Sequence, residues 1–134
     1  MLYEDVTKKI LEACFEVSNE LGIGYLESVY EKALLLALRQ KGLKAENQIP
    51  LQVKFREEVV GEFFVDILVE DKILIELKVA NNLTKENYAQ TINYLKATAI
   101  EVGLLVNFGT PKIEYRRFNN QFIEKTENLR DFLK

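Results

Sequence analysis

The chain has 134 residues, 48% of them apolar, enough to bury roughly two-thirds of its unfolded surface around one core, so residues 1–134 are read as a single domain. It contains no histidine and one cysteine, Cys14, which excludes an internal disulfide, serine-triad hydrolysis, histidine-based ribonuclease chemistry and most zinc enzymes. Carboxylates, lysine, tyrosine and hard metal ions remain as available chemistry. A net charge of −3 argues against a protein that coats nucleic acid electrostatically. The lack of a basic leader and of any apolar run near 20 residues leads us to expect a soluble, cytoplasmic protein with no membrane partner.

In chain order, Val6, Ile10, Cys14, Val17 and Leu21 draw one stripe along a helix that Gly22 can stop. A second helical pattern runs from Leu26 to Gln40, with Val29, Ala33 and Leu36 beside Tyr30, Leu34 and Leu38, a face wide enough to predict extensive burial. The period then changes to two at Ile49, Leu51, Val53 and Phe55, as in a strand with one solvated face, followed by a Glu57-Glu58 connection. Residues 60–69 and 73–79 are near-continuous apolar strands, which suggests a sheet covered on both faces. Thr84 is placed to cap a helix to about Ala99, with Tyr88, Thr91, Ile92 and Leu95 inward. Strands follow at 102–108 and 113–118, and a short helix at 126–134. The order ααβββαββα favours a mixed α+β (α/β) architecture, a five-stranded mixed sheet flanked by helices, with strands 73–79 and 102–108 parallel across the helical crossover.

Charged residues inside the two apolar strands carry the chemistry. With a three-residue loop, Glu70-Asp71-Lys72, Val69 faces Ile73, Ile67 faces Ile75 and Val65 faces Leu77. The same register sets Asp66 opposite Glu76, with Lys78 one diagonal step away. Two like charges about 5 Å apart repel by about 3 kcal/mol at an effective dielectric near 20. A divalent cation between them reverses that sign, and hard oxygen ligands suit Mg²⁺ or Mn²⁺. Lys78 then stands where it can stabilise charge developing on a phosphate or orient an attacking water. The plainer reading is a charge cluster that neutralises itself at a partly solvated sheet edge.

An Asp on one strand followed by Glu-x-Lys on the next resembles the PD-(D/E)XK nuclease superfamily, whose restriction-endonuclease-like core has the same element order. Val65-Asp66 stands where the motif's leading proline would be. Gly24-Tyr25-Leu26-Glu27-Ser28-Val29-Tyr30 is similar to the signature of the GxxExxY proteins, and Gln90-Thr91-Ile92-Asn93-Tyr94 resembles the Q-x-x-x-Y element of RecB-like nucleases. The resemblance implies metal ligation by Asp66, Glu76 and the Leu77 carbonyl, assistance by Lys78, and a further acidic residue near the metal in Glu27. Gln90 and Tyr94 would meet the substrate backbone. Without the resemblance, Glu27 is a helix-end charge favoured by the macrodipole, and Gln90 and Tyr94 are the polar edge of an amphipathic helix. Tyr30 is open to two readings, core or substrate contact.

Two functions compete. One is a Mg²⁺- or Mn²⁺-dependent nuclease hydrolysing phosphodiesters of nucleic acid, DNA foremost, with phosphate contacts drawn from Arg116, Arg117, Lys112 and Lys85, and with a homodimer or partner protein supplying target choice. The other is a catalytically inactive nuclease-fold module that binds protein or nucleic acid, which the acidic composition favours and the intact Asp66, Glu76 and Lys78 set opposes.

Overall fold

A computed structural model describes residues 3–120. Its elements are α1 (Glu4–Leu21), α2 (Glu27–Gln40), β1 (Ala45–Phe55), β2 (Glu58–Val69), β3 (Ile73–Lys78), α3 (Lys85–Lys96), β4 (Val102–Asn107) and β5 (Glu114–Asn119). The expected order holds throughout; the helix expected at 126–134 lies outside the described residues.

The five strands form one sheet in the order β1-β2-β3-β4-β5. β3 and β4 run parallel, joined by the α3 crossover, and the other pairs are antiparallel. Strand alternation divides β3 between two cores. Ile73, Ile75 and Leu77 pack with Ile10, Cys14, Tyr30, Leu34 and Leu38 of α1 and α2, whereas Leu74 packs with Leu95 of α3. The near-continuous apolar character of β3 and β4 follows from this coverage of both faces. Cys14 is fully buried, and burial pushes its thiol up to about 12, so it serves as packing and not as a nucleophile.

Local chemistry sets the element ends. Gly22 (φ 70°) closes α1, its N–H donating to the Ser18 carbonyl. Thr84 caps α3 as expected, in a reciprocal box with Asn87. That helix ends at Lys96, short of Ala99, where the Asn120 amide donates to the Leu95 and Ile100 carbonyls, 2.7 Å each.

Several expectations are corrected. α2 buries one stripe only, Tyr30, Leu34, Ala37 and Leu38, while Val29 and Leu36 are exposed; Ile92 of α3 is exposed as well. The β1–β2 turn is Arg56-Glu57, one residue earlier than Glu57-Glu58, with both residues left-handed (φ 51° and 70°) and Phe55 paired to Glu58. Beyond that turn the hairpin is long, and β3 pairs only with Ile67, Leu68 and Val69 at its base. Residues 58–65 of β2 therefore project beyond β3 as a two-stranded ribbon with β1.

Candidate active site

The register Val69↔Ile73, Leu68↔Leu74, Ile67↔Ile75 is the expected one, but it stops there. Asp66 and Glu76 do not form a ladder pair, and Val65 does not face Leu77. Instead each carboxylate inserts into the gap: the Asp66 N–H donates to Glu76 Oε1 (3.2 Å), and the Leu77 N–H donates to Asp66 Oδ2 (2.8 Å). On the other side of β2 the partner position is Gln48, left-handed at φ 51°, so the β1–β2 pairing also skips Asp66. A non-glycine residue there stores strain of about 1 kcal/mol or more.

The strand turns over at this point. Ile67 and Val69 pack into the α1–α2 core, whereas Val65 and Phe63 pack with Leu74, Leu95 and Tyr94 on the α3 side. Strict alternation would have kept Val65 with Ile67. β2 and β3 thus fork at Asp66, and the carboxylates lie in the fork.

Burial gives the fork its electrostatics. Glu76 is 3% exposed, and desolvation, joined by repulsion from Asp66, raises its carboxyl to about 8 despite the Asp66 N–H and the Lys78 charge. Asp66 is half-buried and raised by desolvation and by Glu31, against the Leu77 N–H and Lys78. Glu27, in the first turn of α2, is raised by desolvation and then by Asp66, and Lys78 opposes the shift. The Tyr94 hydroxyl is raised by desolvation, then by Glu76 and Asp66, while Gln90 donates to its oxygen at 2.9 Å. The sequence-selected Glu27, Asp66, Glu76, Lys78, Gln90 and Tyr94 are therefore brought together. Neither Asp66 nor Glu76 is ion-paired among the described residues; Lys78 opposes the carboxylate repulsion from beyond ion-pair distance, and both carboxyls remain raised.

Two expected contacts lie elsewhere. Tyr30 is fully buried, stacked on Phe108 (5.1 Å between centroids, 12°), with its hydroxyl donating to the Gly22 carbonyl at 2.6 Å. It cannot touch a substrate; it anchors the Gly22–Gly24 turn that delivers Glu27, where Gly24 takes φ 111°. Arg117 pairs with Leu104, whose β3 partner is Ile75, so it belongs to the α1 face and donates to Thr7 Oγ1 (2.8 Å). Arg116 pairs with Leu105, the partner of Glu76, and shares the carboxylate face two strands away, stacked over Tyr88 (4.6 Å).

Glu31 was missed. It lies one turn after Glu27, a spacing that puts both on one helix face, and accepts from Gln48 Nε2 (2.6 Å) and Asn47 Nδ2 (3.3 Å), tying α2 to the skipped position of β1.

The chain after Lys78 is clamped. Buried Asn107 accepts from the Ala80 and Gly109 N–H groups and donates to the Ala80 carbonyl, and the Phe108 N–H donates to the Lys78 carbonyl. A Cβ on Gly109 would lie 2.4 Å from both the nitrogen and the oxygen of Ala80. Gly109→Ala should therefore destabilise the fold by about 1–3 kcal/mol, read as a lower denaturant midpoint; an unchanged midpoint would show that this approach is not tight.

The donors at the fork suit a hard cation. The N–H and C=O of one strand residue point to the same side of the strand, so the Leu77 carbonyl shares the fork side with the N–H that meets Asp66. Two carboxylates and a carbonyl are hard oxygen ligands, and carboxylate repulsion with a nearly inaccessible Glu76 is the deficit that a divalent cation offsets. Among the described residues, no three carboxylate or thiol side chains converge as a metal cage, so such an ion would keep water in its shell.

Comparison with known proteins decides the ancestry of this arrangement. The family description of the PD-(D/E)XK nuclease superfamily matches residues 4–118. The chain belongs to that superfamily. Its five-stranded mixed sheet flanked by helices is the restriction-endonuclease-like core of PD-(D/E)XK proteins. Among solved structures it is similar to the crystal structure of SSO0001, with a TM-score of 0.55 at 19% identity over 95% of this chain and 68% of that one. That likeness is one of fold. No curated protein matches. PD-(D/E)XK nucleases typically use divalent metal ions, in keeping with the oxygen donors at the fork. No helix among the described residues is long and apolar enough to cross a membrane.

Proposed function

We propose that this chain is a Mg²⁺- or Mn²⁺-dependent nuclease of the GxxExxY group that hydrolyses phosphodiester bonds in nucleic acid, DNA foremost. The observation that carries this reading is the fork: β2 and β3 part so that the Asp66 and Glu76 carboxylates lie together with no cation within ion-pair distance among the described residues, and Lys78 follows Glu76 by two residues on the same sheet face. When bound there by Asp66, Glu76 and the Leu77 carbonyl, the cation supplies Lewis-acid polarisation of a phosphate oxygen and a water more acidic than in bulk.

The protein's own groups do the rest. Glu76 would hold the cation as the ionised carboxylate. Lys78 places an ammonium against the phosphate and stabilises the negative charge that grows as the water attacks. The Phe108 N–H holds its backbone carbonyl, which fixes where the side chain leaves the strand. Glu27, at the edge of the fork, would accept a proton from the attacking water. Gln90 and Tyr94 form a hydrogen-bonded pair beside the carboxylates and contact the sugar-phosphate backbone.

Purified protein incubated with Mn²⁺ should cleave at least one of single-stranded DNA, double-stranded DNA and structured RNA, and EDTA should abolish cleavage. Absence of cleavage on the whole panel at millimolar Mn²⁺ would refute the reading.

A further inference from the structure

We infer that Gln48 is a positioning residue of the fork: its carboxamide, braced on Glu31, holds the Asp66 carboxylate in the place where a divalent cation would meet it. This deepens the metal-dependent reading and rests on it for the ion. Gln48 stands opposite Asp66 on β1, since Asn47 pairs with Ile67 and Ile49 with Val65 while the position between them makes no pair. Its φ of 51° lies in the left-handed region, where a residue with a Cβ is disfavoured and glycine or asparagine would serve if only the bend were needed. A glutamine there is explained by what its side chain reaches.

That side chain serves two carboxylates. Gln48 Nε2 donates to Glu31 Oε1 at 2.6 Å, and Asn47 Nδ2 donates to Glu31 Oε2 at 3.3 Å. Consecutive side chains of an extended strand point to opposite faces, so both amides meet one carboxylate only because the backbone leaves the extended region at Gln48. An amide nitrogen carries two hydrogens. Glu31 takes one, and the other is left for Asp66, whose carboxyl is raised chiefly by burial and lowered by a side-chain hydrogen bond from Gln48. From β3 the Leu77 N–H holds the same carboxylate at Oδ2. Asp66 is thus gripped from both neighbouring strands, and Glu31, on α2, fixes the donor that comes from β1. Partners that orient a metal ligand set its affinity, and losing one costs about 10–100-fold in metal binding.

The test is calorimetric titration of the full chain with Mn²⁺ at pH 8, beside denaturant unfolding of the metal-free protein. Gln48→Gly relieves the left-handed strain and removes the amide, so its metal-free midpoint should be no lower than that of wild type while its Mn²⁺ dissociation constant rises about tenfold. Gln48→Asn, which tolerates the same backbone but is one methylene short, should weaken Mn²⁺ binding to a similar extent. Glu31→Gln and Glu31→Ala both remove a charge, and only the second removes the acceptor. The alanine variant should bind Mn²⁺ more weakly than the glutamine variant, and that difference should vanish in the Gln48→Gly background. Equal binding by the two Glu31 variants would overturn the inference, as would a lowered metal-free midpoint in Gln48→Gly, which would make the clamp a plain tie between α2 and β1. Gln48→Gly that binds Mn²⁺ as tightly as wild type sinks this inference alone, whereas wild type that takes up no Mn²⁺ sinks the metal-dependent reading with it, so the two failures are distinct.

Discussion

Glu76→Gln should raise the stability of the metal-free protein, and the gain should grow with pH. The Glu76 carboxyl lies at about 8 in the fold against 4.5 ordinarily, so the folded state holds a proton that the unfolded state releases across that interval. Stability therefore falls as pH rises from about 4.5 to about 8 and levels off above. The variant removes that slope. Its amide oxygen can still accept the Asp66 N–H, so the hydrogen bond survives while the buried charge is lost. A gain of about 1–4 kcal/mol at pH 9, shrinking towards pH 5, is the expected size for relieving an uncompensated buried charge. Denaturant unfolding at pH 5, 7 and 9 measures it. A variant less stable than wild type at pH 9 would mean that an unseen cation partner compensates Glu76.

Asp66→Ala and Lys78→Ala should separate metal binding from catalysis. Wild type at 10–100 times the dissociation constant of Mn²⁺ should gain about 1.4–2.7 kcal/mol of stability from the bound ion. Asp66→Ala should lose both this gain and all cleavage, because the proposed function makes this carboxylate a ligand. Lys78→Ala should keep the gain and lose cleavage by about 10²–10³-fold, the usual effect of removing one group that stabilises transition-state charge. Thermal melts with and without Mn²⁺, beside cleavage rates on one oligonucleotide, give both readouts. Loss of metal stabilisation in Lys78→Ala would move the lysine from chemistry to site assembly.

Much of this arrangement was legible in residue order, for identifiable reasons. Apolar alternation specifies the register from Val69↔Ile73 to Ile67↔Ile75, because a one-residue slip would expose a whole face. The fork itself was hidden. Alternation assumes that backbone groups pair with backbone, whereas here the Asp66 and Glu76 side chains take the N–H groups and Gln48 leaves the extended region. Arg116 and Arg117 read alike as adjacent cations, yet one step along a strand puts them on opposite faces of the sheet. Tyr30 and Glu27 are three apart on α2, but Tyr30 is in the core and Glu27 at the fork, a distinction set by how α2 docks.

An active nuclease requires that the fork take a divalent ion through its paired carboxylates. Calorimetric titration of the full chain with Mn²⁺ at pH 8 measures this directly. One saturable site that vanishes in Asp66→Ala and Glu76→Ala is the predicted result. Wild type that takes up no Mn²⁺ at millimolar concentration, or variants that bind it as wild type does, would contradict it.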